Sequence, residues 1–417
     1  MFSPATKGWI QKYLELYNQK VINADTILNA TTIQELHAKF VESGLIFGFA
    51  SSFLIYKDID TSRLTNEEQL KLLLFEAMLM VYVFENKNQT VDTEIFIDTL
   101  TQFYKNQSTG AVQKLFSFFI KESEDERLEA IFAKRVAAPQ NIFESTLALN
   151  NFSNAFIYLD LIQFHDFITQ NSVIQTPEDY AMLAMKSVIL AAKSDNEIET
   201  REKVIFNVFL NSIDFSNAEE KNLSNLLEES FELNDLEIKP FTSWVAKRYI
   251  LELAALLIYS KNEVEISEKK FLDDFTTKLG FEVKDLDEII IEVQRFVLQH
   301  QDKIHFLQDA SGIEKYYSGV SEKFVKVLGR NKDKLAVELS QSKELVNLIS
   351  KSTTRELTKE EKAKVKTQFK DLVKSVPALA IFLLPGGAVL LPILLKVIPS
   401  LVPSAFRSNE LNDDSKK

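Results

Sequence analysis

The sequence has no cysteine, which excludes disulfides, thiolate chemistry and sulfur-ligated zinc and suits a reducing compartment. Glycine and proline are scarce, at 10 and 9 in 417 residues. An all-β chain with a turn at about every tenth residue needs more of both. Histidine is limited to His37, His165, His300 and His305. On a helix the spacing of the last two turns their rings apart. His165, within Phe164-His165-Asp166-Phe167, reads as a packed or capping histidine rather than a base. No phosphate-cradling glycine loop, nucleophile elbow or H-E-x-x-H helix is present, so the chain reads as a non-enzyme. Positive charge is also short: 48 Lys and Arg stand against 60 Asp and Glu, a net charge of −12, which argues against direct nucleic-acid binding. Near the start, Trp9, Ile10, Tyr13 and Leu14 are interleaved with Lys7, Lys12 and Glu15. That is not the pattern of a secretory leader, and the N-terminal bulk is expected to stay cytoplasmic.

What the chain does have is apolar mass, 46% of residues with 32 phenylalanines, enough to build large helix-helix contacts. The fold class expected is all-α: multi-helix bundle domains with a C-terminal proline-kinked membrane segment. Ser3-Pro4 is a plausible helix start. The uncharged residues 44–56 are too few to span a bilayer and predict a buried core helix, and residues 70–84 predict a second. Polar residues 106–110 and the charged cluster 123–127 read as exposed turns. Pro139 is a boundary candidate, after which the helical spacing resumes with Phe152, Phe156, Leu159 and Ile162. Thr176-Pro177-Glu178-Asp179 combines a capping hydroxyl, a proline at the first helical position and two acids in the first turn. The domains expected are 1–140, 141–310, a basic helical linker at 311–374, a membrane segment at 375–406 and a flexible tail at 407–417.

One pattern occurs twice within residues 177–300. A helix is followed by Ser194-Asp195-Asn196-Glu197-Ile198-Glu199 and a second helix bearing Glu202; another is followed by Lys261-Asn262-Glu263-Val264-Glu265 and a helix bearing Glu268. A degenerate copy lies upstream, at residues 75–84 followed by Asn88, Val91, Asp92 and Glu94. If the two turns share one end of a bundle, Asp195, Asn196, Glu197, Glu199, Glu202, Glu263, Glu265 and Glu268 supply hard oxygen ligands for Ca²⁺ or Mg²⁺. The alternative is a pair of hydrated acidic turns beside helix N-termini. An EF-hand is the weaker reading, since neither turn has the sixth-position glycine or the ligand rhythm of its twelve-residue loop. The arrangement resembles the TerB-like family of tellurite-resistance proteins, in which a helix, an acidic turn and a helix occur twice in one domain. Asn196 and Asn262 stand where that family has the turn glycine, and Lys261 replaces the leading Asp of the second copy.

From residue 375 to 395 no charge occurs over 21 residues, about 30 Å of helix and long enough to span a bilayer. Pro377, Pro385, Gly386, Gly387 and Pro392, with Pro399 and Pro403 beyond, predict a kinked span or a re-entrant element. Residues 351–374 hold eight basic and four acidic side chains, which keeps the N-terminal bulk on the cytoplasmic side and favours contact with anionic headgroups.

Residues 344–406 resemble the membrane portion of the LETM family. Leu357-Thr358-Lys359-Glu360-Glu361-Lys362 is similar to that family's L-T-R-R-E-R element, and Pro377, Pro385, Pro392 and Lys396-Val397-Ile398-Pro399-Ser400-Leu401-Val402-Pro403-Ser404-Ala405-Phe406 follow its proline frame. The resemblance implies a bacterial inner-membrane protein, with cation/proton transport and ribosome association as family functions. Ala388 stands where the family places an intramembrane glutamate, which argues against intrinsic transport. The combined TerB-like and LETM-like pattern resembles bacterial proteins described as LETM-related and biofilm-associated. The function expected is a membrane-anchored, non-enzymatic helical scaffold, or a stress or cation-response protein, with an unidentified protein partner. Its alternatives are an oligomeric cation/proton transport component and a ribosome-associated membrane protein.

Overall fold

A computed structural model describes residues 2–22, 30–88, 90–106, 123–137, 154–169, 176–195, 198, 200–213, 215–241, 243–260, 264–300, 336–337, 339, 341–352, 355, 357–375 and 394. Among these residues there are fourteen α-helices and no strand. The first five are α1 (Trp9–Asn18), α2 (Ile33–Glu42), α3 (Asn66–Asn86), α4 (Thr93–Asn106) and α5 (Glu124–Val136). Then follow α6 (Tyr158–Ile168), α7 (Pro177–Ala192), α8 (Thr200–Leu210), α9 (Asn217–Glu228), α10 (Trp244–Tyr259), α11 (Ile266–Leu279) and α12 (Val283–His300). The last two are α13 (Lys343–Ser352) and α14 (Lys359–Ser375). The chain divides into one compact unit of Met1–Ile59 with Asn66–Gly312, and a second of Asp60–Thr65 with Ile313–Lys417.

Two helices of the first unit are apolar on nearly every side and form its hubs, as expected for helices buried all round. In the N-terminal half α3 buries residues from Leu70 to Val83 against α5 and α6. In the other half α10 buries Val245 to Ile258 against α7, α11 and α12. Helix α6 packs on α3, α7 and α10, so it ties the halves together. The expected boundary at Pro139 lies outside the described residues, and helices from both sides of it share one hydrophobic core. Asp160 of α6 pins this junction, accepting from Arg135 Nε at 2.8 Å and from Tyr104 Oη at 3.2 Å.

Local chemistry sets the helix starts. Thr176 Oγ1 accepts from the Asp179 N–H at 3.2 Å and Asp179 Oδ2 accepts from the Thr176 N–H at 2.8 Å, a reciprocal box that opens α7 with Pro177 in its first turn. The charged cluster 123–127 is not a turn. Ser123 is the N-cap of α5, and Glu124, Asp125 and Glu126 occupy its first turn, where the helix dipole favours acids.

The uncharged residues 44–56 are not a core helix either. Only Leu45–Phe47 forms a short 3₁₀ turn, flanked by Gly44 and Gly48 at φ 81° and 66°. A Cβ at Gly48 would meet Asn154 O at 2.6 Å and Ala155 Cα at 2.7 Å, so both the backbone angle and the close approach call for glycine. The segment is a largely buried loop: the Phe47, Gly48, Phe49 and Ser51 amides donate to nearby carbonyls, and those of Leu54, Ile55 and Tyr56 donate to Glu76 of α3.

His165 is positioned as a packed, paired histidine. Its Nε2 is 3.1 Å from Glu85 Oε1 and its Nδ1 is 3.6 Å from Asp166 Oδ1, while Tyr180 Oη donates to Asp166 Oδ2 at 2.8 Å. Burial disfavours the charged ring, but Asp166 and Glu85 outweigh it and hold the His165 pKa above its ordinary 6.5. A folded-state value above the unfolded one means the stabilisation is complete below about pH 6.5 and is lost as pH rises through the folded value. His165→Gln should therefore destabilise more at pH 5.5 than at pH 9, as read from urea melts of both proteins at each pH. An equal loss at both would show that the ring contributes only packing.

In the second unit α13 and α14 form an antiparallel hairpin. Lys351 Nζ, near the end of α13, lies 3.6 Å from Glu361 at the start of α14, whereas Glu344 at the start of α13 binds Lys364 and Gln368, both at 2.9 Å. The interface is apolar, with Leu345, Leu348 and Ile349 of α13 and Val365 and Phe369 of α14 buried. The expected membrane segment, with Pro377, Pro385, Gly386, Gly387 and Pro392, lies outside the described residues apart from Ser375 and Leu394, as do Pro399, Pro403 and the expected tail 407–417. Among the described residues no helix is long and apolar enough to cross a membrane.

Candidate metal centre

The two acidic turns close the same kind of hairpin in the same way. Ser194, just past α7, donates from Oγ to the Ala191 carbonyl at 2.7 Å; Ser260, just past α10, does the same to Leu257 at 2.8 Å. Each serine ends its helix by bonding back to the carbonyl three residues earlier. The following helices, α8 and α11, then carry Glu202 and Glu268 at their third positions and bury Phe209 and Phe275 at matching places. Helix α7 packs on α8, α10 and α11, which brings the two hairpins together.

The consequence is convergence of equivalent residues. Asp195, Glu202 and Glu268 offer carboxylate oxygens that all lie within 4.8 Å of one another. Glu202 and Glu268 are buried, at 2% and 0% exposure, and Asp195 is half-buried. Glu268 is fixed by its helix: its Oε2 accepts from the Glu265 N–H at 2.7 Å, and the carboxylate as a whole is buried. Burial pushes the Tyr259 hydroxyl above its ordinary pKa, and Asp273, Glu268 and Asp287 add to the rise, so the surroundings carry a negative field.

Of the eight expected ligands, these three converge. Glu265 does not join them; as N-cap of α11 it gives its backbone N–H to Glu268 while its side chain stays exposed. Asn196, Glu197, Glu199 and Glu263 lie outside the described residues.

The donor set is all-carboxylate, which suits a hard divalent cation. Three oxygens evenly spaced about one Ca²⁺ at about 2.3–2.6 Å are at most about 4.0–4.5 Å apart, so donors within 4.8 Å of one another reach Ca²⁺ with an adjustment of a few tenths of an ångström. Mg²⁺, at about 2.0–2.1 Å, requires the donors closer still. At an effective dielectric of about 20, two carboxylates at this separation repel by about 3–4 kcal/mol, and a cation between them reverses the sign.

Two further buried polar groups escaped the sequence reading, though each is a charge inside an otherwise apolar run. One is Glu76. The other is Glu252 of α10, whose carboxylate meets His37 Nε2 at 2.9 Å and accepts from Arg248 Nε at 2.9 Å; His37 Nδ1 is in turn 2.7 Å from Tyr158 Oη. Burial alone would raise the Glu252 pKa, but His37 and Arg248 outweigh it and hold the carboxyl below its ordinary value.

Comparison with known proteins places one region. Residues 357–417 match the family model described as LETM1-like, RBD. The match begins at Leu357, the first residue of the Leu357-Thr358-Lys359-Glu360-Glu361-Lys362 element. In the structure that element is a helix start: the Thr358 N–H donates to Glu361 Oε2 at 2.9 Å and the Glu361 N–H to Thr358 Oγ1 at 3.2 Å. No curated protein and no solved structure matches the chain significantly. Fold and comparison together define an all-α protein with a LETM1-like C-terminal region.

Proposed function

We propose that this chain is a membrane-anchored, non-enzymatic, cation-responsive helical scaffold of the LETM-related type. Its TerB-like hairpins take up Ca²⁺ or Mg²⁺ through Asp195, Glu202 and Glu268, and its LETM-like segment holds it at the bacterial inner membrane with the N-terminal bulk cytoplasmic. The observation that carries this reading is the meeting of Glu202 and Glu268, equivalent residues of two repeats, in one buried cluster with Asp195. A cation bound only by the folded state raises stability by mass action. Calorimetric titration of the detergent-solubilised full chain with Ca²⁺ and Mg²⁺ is expected to give saturable heat, with Ca²⁺ the tighter ligand. Absence of heat from both ions would reduce the cluster to hydrated acidic turns.

The anchor has its own test. Deleting residues 376–406 is expected to move the protein from the carbonate-resistant membrane pellet to the soluble fraction, because no other uncharged run in the sequence is as long as a span. Persistence of the truncated protein in the pellet would reject the segment as the anchor.

Ribosome association is a second reading, favoured by the LETM1-like, RBD match. It predicts that the solubilised protein co-sediments with ribosomes from its host and is released as salt rises. Failure to co-sediment even at low salt would remove it.

A further inference from the structure

Helix α14 carries lysine at positions 359, 362, 366, 370 and 374. With 100° per residue, this 3-4-4-4 spacing confines the five positions to an arc of about 120° along about 22 Å of helix. The three acids of the helix, Glu360, Glu361 and Asp371, fall outside that arc by the same geometry. Lys359 and Lys362 are exposed, and the side of the helix that meets α13 carries Val365 and Phe369. Packing in the hairpin therefore leaves the lysine arc turned to one flank.

Two neighbouring acids, Glu361 and Glu344, bind residues outside the arc. Glu361 receives both Nη atoms of Arg355, at 2.8 and 2.7 Å, together with the Thr358 N–H, and Arg355 holds its pKa down at about 2. Glu344 receives Lys364 and Gln368. Lys364 is the one lysine of α14 off the arc, about 140° from the arc's centre. By position the arc holds the five lysines with Ala363 and Val373 and no acid, while the acids of the helix and Lys364 lie outside it.

We infer that this flank of α14 is a docking surface for anionic lipid headgroups, with the helix lying along the bilayer surface. Charge complementarity and continuity both select that occupant. The arc ends at Lys374, and the 21-residue uncharged run starts at the next residue, so a chain inserted through that run delivers α14 to the headgroup layer. Basic residues held there are attracted to anionic lipid and are released by screening. The inference rests on the membrane-anchored reading above.

The experiment is amine-reactive footprinting of the full chain in nanodiscs of phosphatidylcholine alone or with about 30% phosphatidylglycerol. Labelling at Lys359, Lys362, Lys366 and Lys370 is expected to fall at least about threefold in the anionic discs and to recover when salt shortens the Debye length to about 3–4 Å. Lys364, off the arc, should label alike in both discs. Equal labelling of the arc in the two compositions overturns the assignment, as does protection by added RNA with none by phosphatidylglycerol. If the chain fails to enter discs, the anchor reading fails by itself. The flank is then judged by flotation of the protein with phosphatidylglycerol vesicles, which Lys362→Glu, Lys366→Glu and Lys370→Glu together should abolish, with helicity by circular dichroism confirming the fold. Flotation unchanged in that variant, or absent from the parent, overturns the inference.

Discussion

Glu76→Ala is expected to destabilise the first unit by about 4 kcal/mol or more, enough to leave much of the protein unfolded at its growth temperature. The reason lies in what the carboxylate holds. Glu76 Oε2 accepts from the Leu54 and Ile55 amides at 2.7 and 3.0 Å, and Oε1 accepts from the Tyr56 amide at 2.9 Å and from Tyr13 Oη at 2.8 Å. Removal leaves three amides and a hydroxyl unsatisfied in or at the edge of the core, and each costs about 1–3 kcal/mol. Burial pushes the Glu76 carboxyl above its ordinary 4.5 while these four donors pull it back. Two oxygens that already accept four bonds leave no acceptor for a carboxyl proton, so the ionised form is the one the loop fits. Glu76→Gln keeps the shape and one acceptor oxygen and should lose only part of the stability. Urea melts of both variants are the measurement, and a loss below about 1 kcal/mol for Glu76→Ala would mean that the loop finds other acceptors.

The same residue shows where sequence reading stops. Residues 44–56 look like a core helix because an uncharged run has the same composition whether it is helical or a buried loop. What decides is the partner for its last amides, those of Leu54, Ile55 and Tyr56, and that partner stands 20 residues beyond Tyr56. His37 and Glu252 are 215 residues apart, and no local pattern joins them. The start of α7 was legible for the opposite reason, since Thr176, Pro177 and Asp179 act on one another within a single turn. The cluster 123–127 misled because acids at a helix N-terminus have the composition of an exposed turn, and only the position of Ser123 as N-cap separates the two.

The candidate site falls between these cases. Repeat spacing set Glu202 against Glu268, but spacing treats the acids of each turn alike. Orientation is added by the fold: a residue at the third position of a helix can reach back to the N-cap amide, as Glu268 does, and burying that turn holds its carboxylate inside. Glu265, at the cap itself, contributes its backbone and leaves its side chain exposed. The equivalent third position in α8, Glu202, is buried in the same way.

That distinction yields the most discriminating test of the site, Glu202→Gln combined with Glu268→Gln. Glutamine keeps an acceptor at the third helical position of α11, and it removes two of the three mutually repelling charges, so the double variant is expected to melt without cation at or above the parent's temperature. What disappears is charge. In the parent, Ca²⁺ at about ten times its dissociation constant should add about 1.4 kcal/mol, or about 2–4 °C in melting temperature; in the double variant the rise should vanish. Asp195→Asn should weaken the rise without abolishing it, because Asp195 is half-buried and the two glutamates remain to hold the ion. Glu265→Gln should leave it unchanged, since that side chain is exposed and outside the cluster. Thermal melts of the four proteins with Ca²⁺ or with chelator separate the possibilities. A rise that persists in the double variant would place the cation elsewhere, and a parent that melts alike with Ca²⁺ and with chelator would leave the three carboxylates as a solvated acidic end of the bundle.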